Sequence, residues 1–102
     1  MKLIYRAAAV EDVEQTFNYI RDKLNNPSAA ESFRRRVVQA VSLLKENPYM
    51  GTPLGGRYDG LETNIRFLIV SRHLIFYEVH DNMIELIRIL DGRTDYLTYL
   101  FE

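Results

Sequence analysis

The spacing of apolar residues changes period once along the chain, and that change limits the architectures open to it. Up to Pro48 apolar side chains recur every three or four positions, whereas beyond Gly60 they fall in short dense runs separated by turn residues. The first pattern belongs to helices that bury one stripe and the second to strands. Val10, Val13, Phe17, Ile20 and Leu24 mark an amphipathic helix that ends at Asn25-Asn26-Pro27. Glu11, Asp12 and Glu14 fall in its first turns, where the helix dipole favours acids. Ser28 and Glu31 have the S-x-x-E spacing of a capping box, which predicts a second helix opening there. Its core stripe is Ala30, Phe33, Val37, Ala40, Val41 and Leu44, and Pro48 stops it. So short a break between two helices predicts an antiparallel helix hairpin.

A short strand, Lys2–Arg6, precedes the helices, and local pattern alone leaves its place in a sheet undecided. The stretch from Tyr49 to Gly60 holds Pro53 and four of the five glycines, so it is expected to be a loop without regular structure. Three strand-like runs follow, Asn64–Val70, His73–Val79 and Met83–Leu90, separated by Ser71-Arg72 and His80-Asp81-Asn82. Gaps of that length predict antiparallel hairpins. The tail from Tyr96 to Phe101 is expected to form a short helix or a pinned extended end. The order predicts one α+β domain over residues 1–102, β-α-α-β-β-β, with the helix hairpin on one face of a small, mostly antiparallel sheet.

Composition narrows the function classes. There is no cysteine, which removes disulfides, thiolate nucleophiles and Cys-based zinc sites. No apolar run approaches the ~20 residues of a membrane span, and the N-terminal stretch is too short for a signal-peptide core, so a cytoplasmic protein with no membrane partner is expected. A formal charge of −1 argues against a protein whose main task is gripping phosphate backbones. Most of the basic residues are arginines, however, which suit bidentate contacts with carboxylate or phosphate. The chain lacks a phosphate-binding G-x-x-x-x-G-K-[ST] loop, a G-x-S-x-G elbow and an H-E-x-x-H helix. His73 and His80 have no carboxylate-rich ligand pattern around them, so neither a metal nor another cofactor is expected.

Arginines are the candidate functional groups. Arg34-Arg35-Arg36 reads as a solvated helix face, because consecutive helical positions point about 100° apart. Arg66, Arg72, Arg88 and Arg93 fall in or beside the predicted sheet. Strand alternation lets Arg66 share a face with Leu68 and Val70, and Arg88 with Ile84 and Leu86. On the face away from the helices they would form a basic patch, and otherwise each pairs with an acid such as Glu62, Glu78, Glu85 or Asp91. That open face is also expected to be apolar, through Leu68, Val70, Leu74, Phe76, Ile84 and Leu86, and to receive a partner. Tyr96 and Tyr99, three apart, come together if the tail is helical, either as anchors or in proton transfer and base stacking.

Several elements, in order, carry a likeness to a known family: Asp12–Ile20 with Asn18-Tyr19-Ile20, Ala29-Ala30-x-x-Phe33, Asn47-Pro48-x-x-Gly51, Arg66, Leu74-Ile75-Phe76-Tyr77-Glu78-Val79, and Ile87-Arg88-Ile89-Leu90-x-Gly92-Arg93-x-Asp95. Over nearly its full length the chain resembles the RelE/ParE superfamily of type II toxin–antitoxin toxins, and its strand wording is closer to the ParE branch. The resemblance implies a plasmid-stabilisation-like toxin that inhibits growth and is neutralised by a cognate antitoxin. It implies one of two targets, DNA gyrase or mRNA on the ribosome. In the RelE-like case the protein would be a metal-independent endoribonuclease, with Arg66, Arg72, Arg93 and Tyr99 as its catalytic candidates. An arginine expected in the middle strand is replaced by Leu74, and Arg72 lies two residues before it. In the ParE-like case, which that replacement and the near-neutral charge favour, Arg66, Arg88, Arg93 and Tyr96 would contact the target. A binding domain of the same fold without toxicity is the remaining alternative.

Overall fold

The computed structural model describes residues 1–101. Strand β1 (Lys2–Tyr5) leads directly into α1 (Ala7–Asn18), which begins on the three alanines rather than at Val10. Alanine has the highest helix propensity and no bulk, so the helix starts close against the sheet with Ala9 fully buried. The buried side of α1 is Ala9, Asp12 and Phe17; Val10 and Leu24 of the expected stripe are exposed. The helix ends in a π-helical turn, Tyr19–Lys23, closed by a hydrogen bond from Leu24 N to Tyr19 O of 3.1 Å. Asn25 then takes a left-handed conformation (φ 50°), which asparagine tolerates well.

Helix α2 (Pro27–Glu46) starts one residue before the expected cap. Asn26 is the N-cap: its side chain accepts from Ala29 N at 3.1 Å, and Pro27 occupies the first helical position, where a missing N–H costs nothing. Ser28 donates to Asn26 Oδ1 instead of capping, and Glu31 faces Arg34 at 3.7 Å instead of closing a box. The predicted stripe otherwise holds, with Ala30, Phe33, Val37, Val41 and Leu44 buried and Ala40 partly so.

Five strands form one sheet in the order β1-β5-β4-β3-β2, with β3 (Arg66–Val70), β4 (His73–His80) and β5 (Met83–Asp91) as its antiparallel centre. β1 joins at one edge, parallel to β5 from Lys2↔Met83 to Tyr5↔Leu86. The opposite edge is a two-residue strand, β2 (Thr52–Pro53), inside the stretch expected to lack regular structure. It is held from within: the buried Tyr77 hydroxyl donates to Pro48 O at 2.9 Å and accepts from Gly51 N at 2.8 Å. A side chain at residue 51 would collide with the Tyr77 ring, with Cβ 2.5 Å from its oxygen.

A β-bulge changes which residues share a face. Phe76 opposes Arg88 while Tyr77 opposes Leu86, so Ile87 is the extra residue of β5. Ile84, Leu86 and Ile89 therefore pack toward the helices, and Ile87 and Leu90 toward the other side. The second face is not open. Helix α3 (Tyr96–Phe101) and the loop before β3 cover it, packing Tyr96, Leu97, Leu100 and Leu61 on Phe67, Phe76, Ile87 and Leu90. Of the residues expected to leave an apolar surface there, Leu68, Val70, Ile84 and Leu86 lie in the helix-side core, and Phe76 is fully buried beneath α3.

Where β1 ends, α1 takes over the edge of β5. The buried Asp12 carboxylate accepts from Ile89 N at 2.9 Å, standing in for a neighbouring strand, and pairs bidentately with Arg88 at 2.7 and 2.8 Å. Asp12→Ala should cost about 3 kcal/mol by stranding Arg88 and the Ile89 amide. Tyr77→Phe, which leaves Gly51 N and Pro48 O without their partner, should cost about 1–3 kcal/mol. Urea-unfolding midpoints measured at one pH check both, with the native circular dichroism spectrum retained.

Candidate functional site

At the end of the sheet away from β2, the β3–β4 hairpin tip and the end of β5 meet the π-helical turn and the first turns of α2. Ser71 forms the tip in a left-handed conformation (φ 57°), which turns the chain so that Arg72 projects from it. Gly92 follows β5 and donates its N–H to Arg72 O at 2.8 Å, bringing the two chain segments together. A Cβ at Gly92 would stand 3.3 Å from that carbonyl, so the close approach depends on glycine.

Two adjoining cavities open between these elements, of about 350 and 510 Å³. Ile20, Arg72 and His73 line both, making one continuous groove. Arg36 and Phe33 of α2 wall one end; Tyr19, Leu24, Asp91 and Arg93 wall the other. Arg36 donates to Ser71 Oγ at 2.7 Å. Asp91 accepts from the Arg93 backbone N–H at 2.8 Å and from both arms of its guanidinium at 3.0 and 2.8 Å, which holds the carboxyl far below the usual carboxylate range. Among the described residues the Arg72 side chain has no hydrogen-bond or ion-pair partner.

His73 packs against the Phe33 ring at 4.9 Å with the two rings tilted by 58°, and its buried Nδ1 has no hydrogen-bond partner among the described residues. Burial pushes its pKa below the ordinary 6.5, against the pull of Asp91 and with the help of Arg93. Burial thus favours the neutral ring over the charged one.

The predicted site residues divide. Arg72 and Arg93 meet in the groove. Arg66 lies on the helix side of the sheet, not on the face away from the helices, and its guanidinium donates to Tyr49 O at 3.1 Å and Gly51 O at 2.9 Å. Arg88 is held by Asp12, an acid absent from the partners considered for it, and lies over the Tyr99 ring at 5.4 Å. The bulge takes it out of line with Ile84 and Leu86. Tyr96 packs on Phe76 at 5.2 Å and hydrogen-bonds the Tyr58 hydroxyl. Tyr96 and Tyr99 thus take different partners. Leu74 packs into the second core, and Arg72 lines the helix-side groove instead of covering its position. His73 and His80 stand at opposite ends of β4, the latter beside Glu85 at 3.1 Å.

Arg36, Tyr19 and His73 are groove residues that sequence reasoning missed. The arginine triplet does fan out as helical geometry requires: Arg34 covers the Phe17 ring at 3.8 Å while Arg36 reaches the groove. Folded His73 titrates below its unfolded value, so its contribution to stability is complete above pH 6.5 and declines as pH falls through that value toward the folded pKa. Between about pH 7.5 and 5.5 the urea midpoint should fall less in His73→Gln than in the wild type; equal falls would remove this account.

Comparison with known proteins agrees with the fold and names the family. The profile of the ParE toxin of type II toxin–antitoxin systems, parDE, matches residues 3–96. A chain from the chromosomal ParDE toxin–antitoxin system of P. aeruginosa superposes with a TM-score of 0.71 at 18% identity, covering 89% of this chain and 95% of that one. A chain of the E. coli DinJ–YafQ complex gives 0.61 at 15% identity, covering 99% and 98%, and a mutant of E. coli YafQ gives 0.58 at 16%, with the same coverage. No curated protein matches by sequence. Over all but its ends, then, the chain belongs to the ParE toxins of type II toxin–antitoxin systems.

Proposed function

We propose that this ParE-type toxin arrests growth by binding DNA gyrase, without bond chemistry of its own, and that a cognate antitoxin neutralises it in the cytoplasm. The observation that carries this reading is the dispersal of the groups an RNA-cleaving site would need. Arg72 and Arg93 share a groove, but Arg66 is tied to the loop around Tyr49 and Gly51, and Tyr99 lies over Arg88. General acid–base cleavage requires proton donor, acceptor and phosphate clamp within hydrogen-bond reach of one reacting group. Binding needs only an accessible surface. Arg93, with 74% of its side chain exposed, remains the contact residue of choice among Arg66, Arg88, Arg93 and Tyr96.

An antitoxin partner is supported by the similar structures, which come from a ParDE system and a DinJ–YafQ complex. The resemblance of the sequence to the RelE/ParE superfamily keeps a ribosome-dependent mRNA endonuclease as the second reading. Purified toxin should block gyrase supercoiling of plasmid DNA, and cells expressing it should show no new ribosome-dependent mRNA cuts. The reverse pair of results would establish the second reading. Arg93→Ala should keep the native fold and weaken supercoiling inhibition about tenfold, as expected for one lost charged contact at an interface.

A further inference from the structure

We propose that the groove between the π-helical turn and the β3–β4 hairpin tip is a binding site for the phosphate ester of a nucleotide. Arg72 and Arg36 take the phosphate, and the wall of Tyr19, Ile20 and Leu24 takes the base. The site stands whichever macromolecule the toxin arrests.

Charge points to an anion. The chain carries a formal −1, yet this groove gathers three arginines against one carboxylate, and Asp91 is already saturated by Arg93. Arg72 has no partner among the described residues, and Arg36 has only a neutral hydroxyl. Two guanidiniums without a carboxylate partner beside a cavity leave it open to a negative ligand. A carboxylate is satisfied by one bidentate fork, whereas a phosphate presents oxygens in several directions and accepts from two forks and a further donor at once. His73, which lines both cavities beside Arg72, supplies that further donor from its ring.

Shape points to a base beside it. The cavities, about 350 and 510 Å³, fall in the range of small-ligand sites and meet at Ile20, Arg72 and His73, so an anionic group and a flat apolar one fit side by side. Tyr19 is 55% exposed at the groove, open to stacking against a base. Free nucleotides and nucleotides within a single strand share this chemistry, and the test separates them.

The purified toxin is titrated with inorganic phosphate, with AMP, with a six-nucleotide single-stranded DNA, and with a peptide of alternating Glu and Leu, while nitrogen and proton resonances of His73 and the arginine side chains are followed. AMP should bind more tightly than phosphate and shift His73 and Arg72. Arg72→Ala and Arg36→Gln should each weaken it about tenfold, the loss of one charge-assisted partner. Arg35→Ala, on the same helix but outside the groove, should leave it unchanged. DNA binding tighter than AMP assigns the site to a strand; AMP equal to or tighter than DNA assigns it to a free nucleotide. The proposal is overturned if no probe shifts the groove resonances, if phosphate equals AMP, if Arg35→Ala weakens binding as much as Arg72→Ala, or if the acidic peptide binds there and AMP does not. All three substituted arginines are exposed, and an unchanged melting temperature in each variant separates lost binding from lost fold.

Discussion

The carboxylate of Asp12 holds the two halves of the molecule together. A helix hairpin and a sheet ordinarily meet through apolar side chains, and here Phe33, Val37, Val41 and Leu44 supply that layer. Apolar contact is non-directional, however, and leaves the edge of β5 beyond Leu86 with unpaired backbone. Asp12 fills that gap with a main-chain hydrogen bond to Ile89 and a fork–fork pair with Arg88, so α1 is docked at one angle and one register. Burying such a pair adds little net stability compared with apolar residues, because both ions lose their water. Its effect is positional: it fixes where the π-helical turn falls relative to the hairpin tip, and hence the width of the groove between them.

The bulge at Ile87 works on the same strand and toward the same end. By adding one residue to β5 it sends Ile87 and Leu90 to the α3 side and Ile89 to the helix side, so a single strand feeds two cores. It also brings Arg88 to the edge, where its guanidinium lies over the Tyr99 ring and pairs with Asp12. The second core lets a helix of six residues persist, since so short a helix is not stable alone in water. Its anchors are the Tyr96 ring against Phe76 and the hydroxyl pair with Tyr58.

What can be read from the sequence follows the range of the interaction involved. The stripe of α2, the two hairpins and the order of elements are written in neighbouring residues, and they are found almost where expected. The start of α2 departs from expectation only because two capping signals lie two residues apart, and Asn26 followed by Pro27 satisfies the helix start more completely than Ser28 does. The parallel seat of β1, the bulge, the strand at Thr52 and the cover over the second face all depend on residues far apart in sequence. The site shows the same division. Arg72 and Arg93 are legible because they flank strands, and His73 adjoins Arg72 in the chain, whereas Arg36 and Tyr19 join them only through the docking of the two helices on the sheet. Asp12 reads as an ordinary first-turn acid, and nothing local distinguishes it from Glu11 or Glu14.

The pairing of Lys2 with Met83 has a consequence in time as well as in space. Nearly the whole chain lies between these partners, and closing so long a loop is slow compared with forming either helix or hairpin. Until β5 is in place β1 has no neighbour, Asp12 has no Arg88, and Gly92 has not drawn Arg93 beside Arg72. A nascent or partly folded chain therefore holds its local elements without the groove they enclose. The groove's walls come from residues 15–36 and 71–93, so it exists only where those distant segments have met.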